Sequence, residues 1–449
     1  MKKLTTTLIT LLMTFLLIES YITPSFASMN DKSQMLNRIF PDIKNHWSEN
    51  TVKEAIKKGY IDGFEDGNFH PDQTVTRAEF IKMLALALKL DIPKGNEQEW
   101  YSPFVNALVH AGIHQWSDFD SGDWNTPITR EEVARLSVRA TEKEKHNIDT
   151  RKWMYDATST GLITGLNDRG DLGILESSNR AQAVTIIERI FKLRHNENLE
   201  VDKHAESQAE FFWHNTNMFT MWKNFLTTKG WNGFNPEGFD SKMTIDSPDG
   251  IYKGRITGIY VIDLADTNDP FWSIIPYSIN DLYWNAGDRA QFPIRDIKDA
   301  FLVYYTQSLD YNNDPGHIST NLYYNTDGSI QLQMLGVGEE NKKEFEDGTC
   351  CKYDVEQYNR IGQGSLEASQ SINLKLDPSY NGKVYQGYID HKVARLPMMI
   401  VPKKIKEYSY VTVDAEVSRS FSQPYTNRLY YKWFTDDHLN TSTKRIELN

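Results

Sequence analysis

The sequence predicts a multidomain chain, an α-helical repeat module followed by a β-rich (α+β) domain. Three observations predict it. A tetrapeptide recurs in the N-terminal half as Thr76-Arg77-Ala78-Glu79, Thr129-Arg130-Glu131-Glu132 and Asn179-Arg180-Ala181-Gln182, each copy opening an apolar helical segment. Beyond residue 199 strand-like runs take over from helical periodicity. The length, 449 residues, is more than one hydrophobic core usually serves.

A formal net charge of −12 argues against a nucleic-acid or anionic-membrane binder, while leaving room for a local basic pocket. At the N-terminus, Lys2 and Lys3 precede an apolar run from Leu4 to Ile18, and Ser25-Phe26-Ala27 forms a small-x-small cleavage site. Residues 1–27 are therefore expected to be a secretory signal peptide, because the apolar run is shorter than the ~20 residues of a membrane span. No later stretch is long and apolar enough to cross a bilayer, so no membrane span is expected after signal removal. Cys350 and Cys351 are the only cysteines, and neighbours in sequence make no disulfide framework. Neither they nor any His lies at metal-ligand spacing, and no metal or cofactor is expected.

In the first repeat, Phe40-Pro41-Asp42-Ile43 leads into His46-Trp47-Ser48. Ser48 is expected to cap a short helix with Val52, Ala55 and Ile56 on its apolar face, Trp47 and Val52 forming a hydrophobic staple and Gly59 ending it. A turn-rich loop, Gly63-Phe64-Glu65-Asp66-Gly67-Asn68-Phe69, joins it to a second helix running from Thr76 to Leu88. That helix is apolar around most of its circumference and is expected at the centre of a module. A shift of 53 residues superposes Trp47 on Trp100, Val52 on Val105, Gly59 on Gly112 and Arg77 on Arg130. The third repeat is looser: Gly161 and Ile163 match, but Asp149 falls where Trp stood. No unit of this size can stand alone, so the repeats should pack together.

The tetrapeptide divides into two parts. Thr76 with Glu79, Thr129 with Glu132, and Asn179 with Gln182 are capping boxes, explained by helix formation alone. The Arg at each first helical position faces the positive end of its helix dipole, which folding does not favour. An anionic ligand would gain from the free amides and the guanidinium fork together. The alternative is a bridge to a carboxylate of a neighbouring repeat, such as Asp42.

With its Phe-Pro-Asp-Ile, His-Trp, Gly-Tyr-Ile-Asp-Gly-Phe-Glu-Asp-Gly-Asn-Phe-His-Pro and Thr-Arg-Ala-Glu-Phe motifs in order, the segment from 40 to 88 resembles an S-layer homology domain. The second repeat is similar but lacks the Phe-x-Asp entry, and the third is recognised from Gly-Leu-Ile-Thr-Gly and Asn-Arg-Ala-Gln. The boundaries that follow are 36–92, 93–146 and 147–198 for the repeats and 199–449 for the C-terminal domain. The resemblance implies a pseudo-threefold module around a central three-helix bundle. It also implies noncovalent binding to secondary cell-wall polysaccharide, a peptidoglycan-linked glycan often bearing pyruvylated N-acetylmannosamine, in grooves between repeats. The family's groove residues carry over as Asp42, Trp47, Gly59 and Arg77, then Trp100, Gly112 and Arg130, then Gly161 and Arg180. Trp would offer a sugar its apolar face, Arg would meet the carboxylate, and Gly would leave room. A core role for both Trp is the alternative.

In the C-terminal half, residues 195 to 206 are polar enough for a linker and Phe211 to Leu226 is a candidate helix, as is Ile294 to Ala300. Runs at 255–263, 301–305, 321–324, 330–335, 408–417 and 428–434 are strand-like, with a hairpin turn at Asn325-Thr-Asp-Gly-Ser. No metalloprotease, nucleophile-elbow, P-loop or dinucleotide motif is present, and Asp310 to Gly316 only echoes a calcium loop. The expected protein is exported to the cell wall or S-layer surface of a Gram-positive-type bacterium, where it is anchored noncovalently and presents a structural or adhesive domain. A wall-anchored hydrolase, with catalytic residues unassigned, and an S-layer lattice component are the alternatives.

Overall fold

The computed structural model describes residues 40–93, 99–119, 123–141, 151–223, 244–275, 278–285, 291–298, 300–314, 331–336, 365–368, 394–395, 398–402, 409–417 and 425–434. The expected signal peptide, Cys350 and Cys351, the strand at 321–324 and the hairpin turn after it lie outside the described residues. The chain divides into two compact units.

The first unit takes in residues 1–148, 160–163 and 174–200. Its helices are α1 (Glu49–Lys58), α2 (Arg77–Ala87), α3 (Ser102–His110), α4 (Arg130–Thr141) and, after α5 (Lys152–Ser159) of the other unit, α6 (Arg180–Arg194). The α1 helix stops because Gly59 turns left-handed at φ 77, its amide donating to Ala55 O and Ile56 O. Ser48 precedes α1 without a side-chain cap bond, because its Oγ is held by His46 Nδ1 at 2.8 Å. Trp47 leaves 62% of its surface exposed rather than burying it as a staple. Helices α2, α4 and α6 supply the core: Phe80, Ile81 and Leu84, then Val133 and Leu136, then Val184 and Ile187 are fully buried. Burial of each such side chain contributes about 1.5–3 kcal/mol.

The segments leading into these three helices are tied in a closed cycle. Val75 N–H donates to Ser178 O, Ser178 N–H to Ile128 O, and Ile128 N–H to Val75 O, each at 2.9 Å. The first amides of the helices close a second cycle in the opposite sense. Arg77, Arg130 and Arg180 amides donate to Thr126, Glu176 and Gln73 carbonyls, each at 3.0 Å. Ala78, Glu131 and Ala181 amides donate to Trp124, Ile174 and Pro71 carbonyls at 2.9–3.1 Å.

The second unit takes in residues 149–159, 164–173 and 201–449, so α5 and the loop after it group with the C-terminal half. Here α5 packs on α7 (Lys203–His214), with Tyr155 stacked on Trp213 at 5.2 Å. Helix α7 starts before the expected Phe211, because Asp202 caps it by accepting from His204 N and Ala205 N. It ends at Asn215, which is left-handed at φ 62, and a short turn α8 (Met218–Met221) follows. Residues 294–296 form only a 3-10 turn, and a strand begins at Ala300.

Among the described residues the strands pair antiparallel in three sheets. One has the order β1 (Thr244–Asp246), β2 (Tyr252–Asp263), β5 (Ala300–Asn312), β9 (Met398–Pro402). A second contains β4 (Gln291–Pro293), β3 (Leu282–Asn285), β7 (Ser365–Ala368) and β8 (Ala394–Arg395). The third contains β11 (Tyr425–Phe434), β10 (Ser409–Val417) and β6 (Gln331–Gly336). Asn217 fastens the helical part to β2: its side chain accepts from Val261 N at 2.7 Å and donates to Val261 O and Ser207 Oγ. The buried Glu210 similarly accepts from Phe219 N and Thr220 N, and its burial pushes the carboxyl up to about 8.

Candidate functional site

The tetrapeptides sit at the N-termini of α2, α4 and α6, and all three close as capping boxes. Glu79 N–H donates to Thr76 Oγ1 while Thr76 N–H donates to Glu79 Oε2. Thr129 with Glu132 and Asn179 with Gln182 make the same reciprocal pairs. The third amide of each helix is thus taken by its own cap, and the first two by carbonyls across the cycle. The free amides on which an anion was expected to dock are therefore occupied, because another repeat supplies carbonyls that a single-repeat view of the sequence cannot place.

The three arginines are buried, at 4–8% exposure. Arg77 donates through Nη2 to Glu132 Oε1 and through Nη1 to Asp123 O at 3.4 Å, and its guanidinium lies 4.6 Å from the Phe119 ring. Arg180 donates to Phe69 O and Asp62 O, each at 2.9 Å, between the rings of Phe64 and Phe69. Burial pushes the Arg130 and Arg180 guanidiniums below their usual range, opposed by the charge of Glu176 at Arg130 and of Glu79 at Arg180. The Arg77 and Arg180 side chains tie one repeat to another, the alternative that the sequence offered beside an anionic ligand. For Arg77 the bridging carboxylate is Glu132, which caps the next repeat's helix, rather than Asp42.

Asp42 accepts instead from Phe69 N and His70 N at 2.6–3.1 Å, fixing the loop that leads to α2. In the second repeat, which lacks that entry, Asp118 inside the loop accepts from Gln115 N at 2.7 Å. It also accepts from Arg139 Nη1 at 2.6 Å and lies 3.1 Å from His114 Nδ1. Burial raises the Asp118 carboxyl, but His114, Arg139 and the Gln115 amide outweigh it and hold the group at about 2. In the loop after α5, Asp202 accepts from Gly165 N at 2.9 Å.

Trp100, like Trp47, lies at the surface, 51% exposed. Around it the second repeat gathers more rings: Tyr101 edge-on at 5.7 Å and Trp124 stacked on Tyr101 at 5.3 Å. Lys82 of α2 places its ammonium 5.8 Å from the Trp100 ring centroid. Gly59 and Gly112 both have positive φ, and a Cβ on either would meet nothing within 4 Å. Gly161 has the same φ, yet a Cβ there would lie 2.6 Å from Glu200 O and 2.8 Å from Leu199 Cβ. The third glycine is covered by the chain itself. The sequence expectation missed Lys82, Trp124 and the 199–200 cover. Lys82 is readable only once α2 and α3 are known to pack side by side. Among the described residues no group of three or more His, Cys, Asp and Glu gathers as for a metal, and no helix is long and apolar enough to cross a membrane.

The family model described as S-layer homology domain matches residues 39–81. Similar curated proteins include the S-layer protein sap of Bacillus anthracis, 28% identical over 138 residues, 29% of this chain and 16% of the relative. An amylopullulanase of Thermoanaerobacterium thermosulfurigenes is 30% identical over 178 residues, 34% of this chain and 9% of the relative. An uncharacterized cell wall amidase of Bacillus anthracis is 34% identical over 159 residues, 33% of this chain and 29% of the relative. The chain thus spans less than a third of the length of each.

Proposed function

The chain carries an S-layer homology domain, and on that premise we propose that it is an exported protein held noncovalently on secondary cell-wall polysaccharide by three such repeats. The repeats, at 36–92, 93–146 and 147–198, would form a pseudo-threefold module around α2, α4 and α6, and the closed hydrogen-bond cycle supports that symmetry. The relatives support anchoring by their diversity. An S-layer protein, an amylopullulanase and a cell wall amidase by name, they match this chain over only 138–178 residues, as expected of a module joined to unrelated partners.

The observation that carries the proposal is that Trp47 and Trp100, at matching positions of repeats that also keep an open glycine, are exposed; Trp116 of the second repeat is exposed as well. A Trp face at the surface costs hydration unless a ligand covers it, and sugar rings are suited to do so. Trp47, Gly59, Trp100 and Gly112 are the residues assigned to the polymer. Asp42, Arg77, Arg130 and Arg180 shape the surface around them, and Gly161 is assigned least, being covered.

The full chain should co-sediment with polymer-bearing walls, and Trp47→Ala with Trp100→Ala should release it while helicity by circular dichroism stays unchanged. Undiminished sedimentation of that double variant would overturn the assignment. The tryptophans are cleaner probes than the arginines, because removing Arg77 strands the buried Glu132 carboxylate.

The amidase relative favours a second function, a wall hydrolase with catalysis in 199–449. Zymography of the full chain on purified walls tests it, a clearing zone being the outcome that favours the enzyme. Sheets in electron micrographs of the purified chain would favour a lattice component instead.

A further inference from the structure

We propose that Lys82 is the cation that meets the acid group of the wall glycan, at the seam where α2 and α3 pack and Trp100 offers a sugar ring its face. This rests on the wall-polymer function above and names the charge contact within it. The sequence directed that role to the arginines of the tetrapeptide. In the fold Arg77 is buried at 8% exposure, and its charge is already met by Glu132. A ligand carboxylate reaching it would have to displace a buried ion pair, at a cost of several kcal/mol.

Lys82 is placed differently. Its side chain is exposed on α2, and among the described residues it pairs with no carboxylate; its recorded partner is the Trp100 ring, 5.8 Å away. An ammonium beside an exposed indole is the combination that an acidic sugar uses, the ring taking C–H bonds and the cation the acid.

The same seam elsewhere lacks the pair. Five residues into α4, at the position matching Lys82, Arg135 is engaged by Glu131 and Asp118. In α6 that position is Thr185, whose hydroxyl donates to Ala181 O. The acid-recognising charge is thus specific to the first and second repeats.

The test uses the full chain with Lys82→Glu, Lys82→Arg and Trp100→Ala, and purified walls before and after mild acid removal of ketal-linked pyruvate. Lys82→Glu should weaken binding to intact walls about tenfold, the equivalent of one charge-assisted contact. Lys82→Arg should stay within about twofold, and on pyruvate-free walls the gap between Lys82→Glu and the parent should close. If Lys82→Glu binds intact walls like the parent while Trp100→Ala does not, the seam stands and the Lys82 assignment falls. If the gap persists on pyruvate-free walls, the cation is not reading that acid and the proposal is overturned. Failure of the parent itself to bind intact walls overturns the anchoring function, and this inference with it.

Discussion

Aspartates from different places in the chain each fix a loop by accepting from its backbone amides. Asp42 precedes its loop, Asp118 lies within its own, and Asp202 follows the loop that it fixes. In the second repeat, which lacks the Phe-x-Asp entry, Asp118 accepts from the Gln115 amide, and the buried Arg139 and His114 hold it ionised. The folded carboxyl, at about 2, lies below its ordinary 3.8. Its stabilisation is therefore fully present above about pH 4 and is lost as pH falls through 2. The shift corresponds to about 2 kcal/mol. Asp118→Asn removes the carboxylate that Arg139 Nη1 meets at 2.6 Å inside the fold and is expected to cost about 3 kcal/mol at neutral pH. In urea titrations followed by far-UV circular dichroism, the gap between variant and parent should narrow as pH drops from about 4 through 2. A gap that stays constant with pH would show that Asp118 contributes packing rather than charge.

Among the elements, those governed by local rules were legible in the sequence. Capping boxes, the apolar faces of α1 and α2, and the glycine stop at Gly59 depend on residues within a few positions of one another, and each formed where periodicity placed it. The onset of α7 at Lys203 was not legible, because its polar first turn read as linker and the apolar face of the helix met its partner, α5, only in the fold. The partners of the three arginines were not legible for the same reason: they are contributed by another repeat, 55 residues away for Arg77 and Glu132. The covering of Gly161 belongs to this class of nonlocal contact, and it separates two otherwise similar substitutions. Gly112→Ala strains only the left-handed backbone, a cost of about 1 kcal/mol. Gly161→Ala adds a clash with the Glu200 carbonyl, for an expected further loss of about 1–3 kcal/mol. Thermal melts of the two variants compare them directly, and equal losses would mean that residues 199–200 yield without cost.

For the whole molecule, a boundary between 198 and 199 follows the repeats but not the compact units. Within the second unit α5 spends its apolar face on α7, with Trp153 at 1% exposure and Tyr155 stacked on Trp213. Glu210 then binds α7 to the turn at Phe219 and Thr220, and Lys223 reaches Glu206 at 3.0 Å. Within the first unit, residues 199–200 complete the surface over Gly161. A fragment ending at residue 198 loses all of these partners at once, leaving α5 of the third repeat without the helix it packs on and Tyr155 without the Trp213 ring. Extending it to residue 223 restores the helix, its Asp202 cap and the Glu210 clasp. Losing that helix-on-helix packing costs about 3 kcal/mol or more. The shorter fragment, residues 28–198, should therefore melt at least about 5 °C below residues 28–223 in differential scanning calorimetry. Equal melting temperatures would mean that the repeats are complete at 198 and that α7 serves the β-rich domain alone.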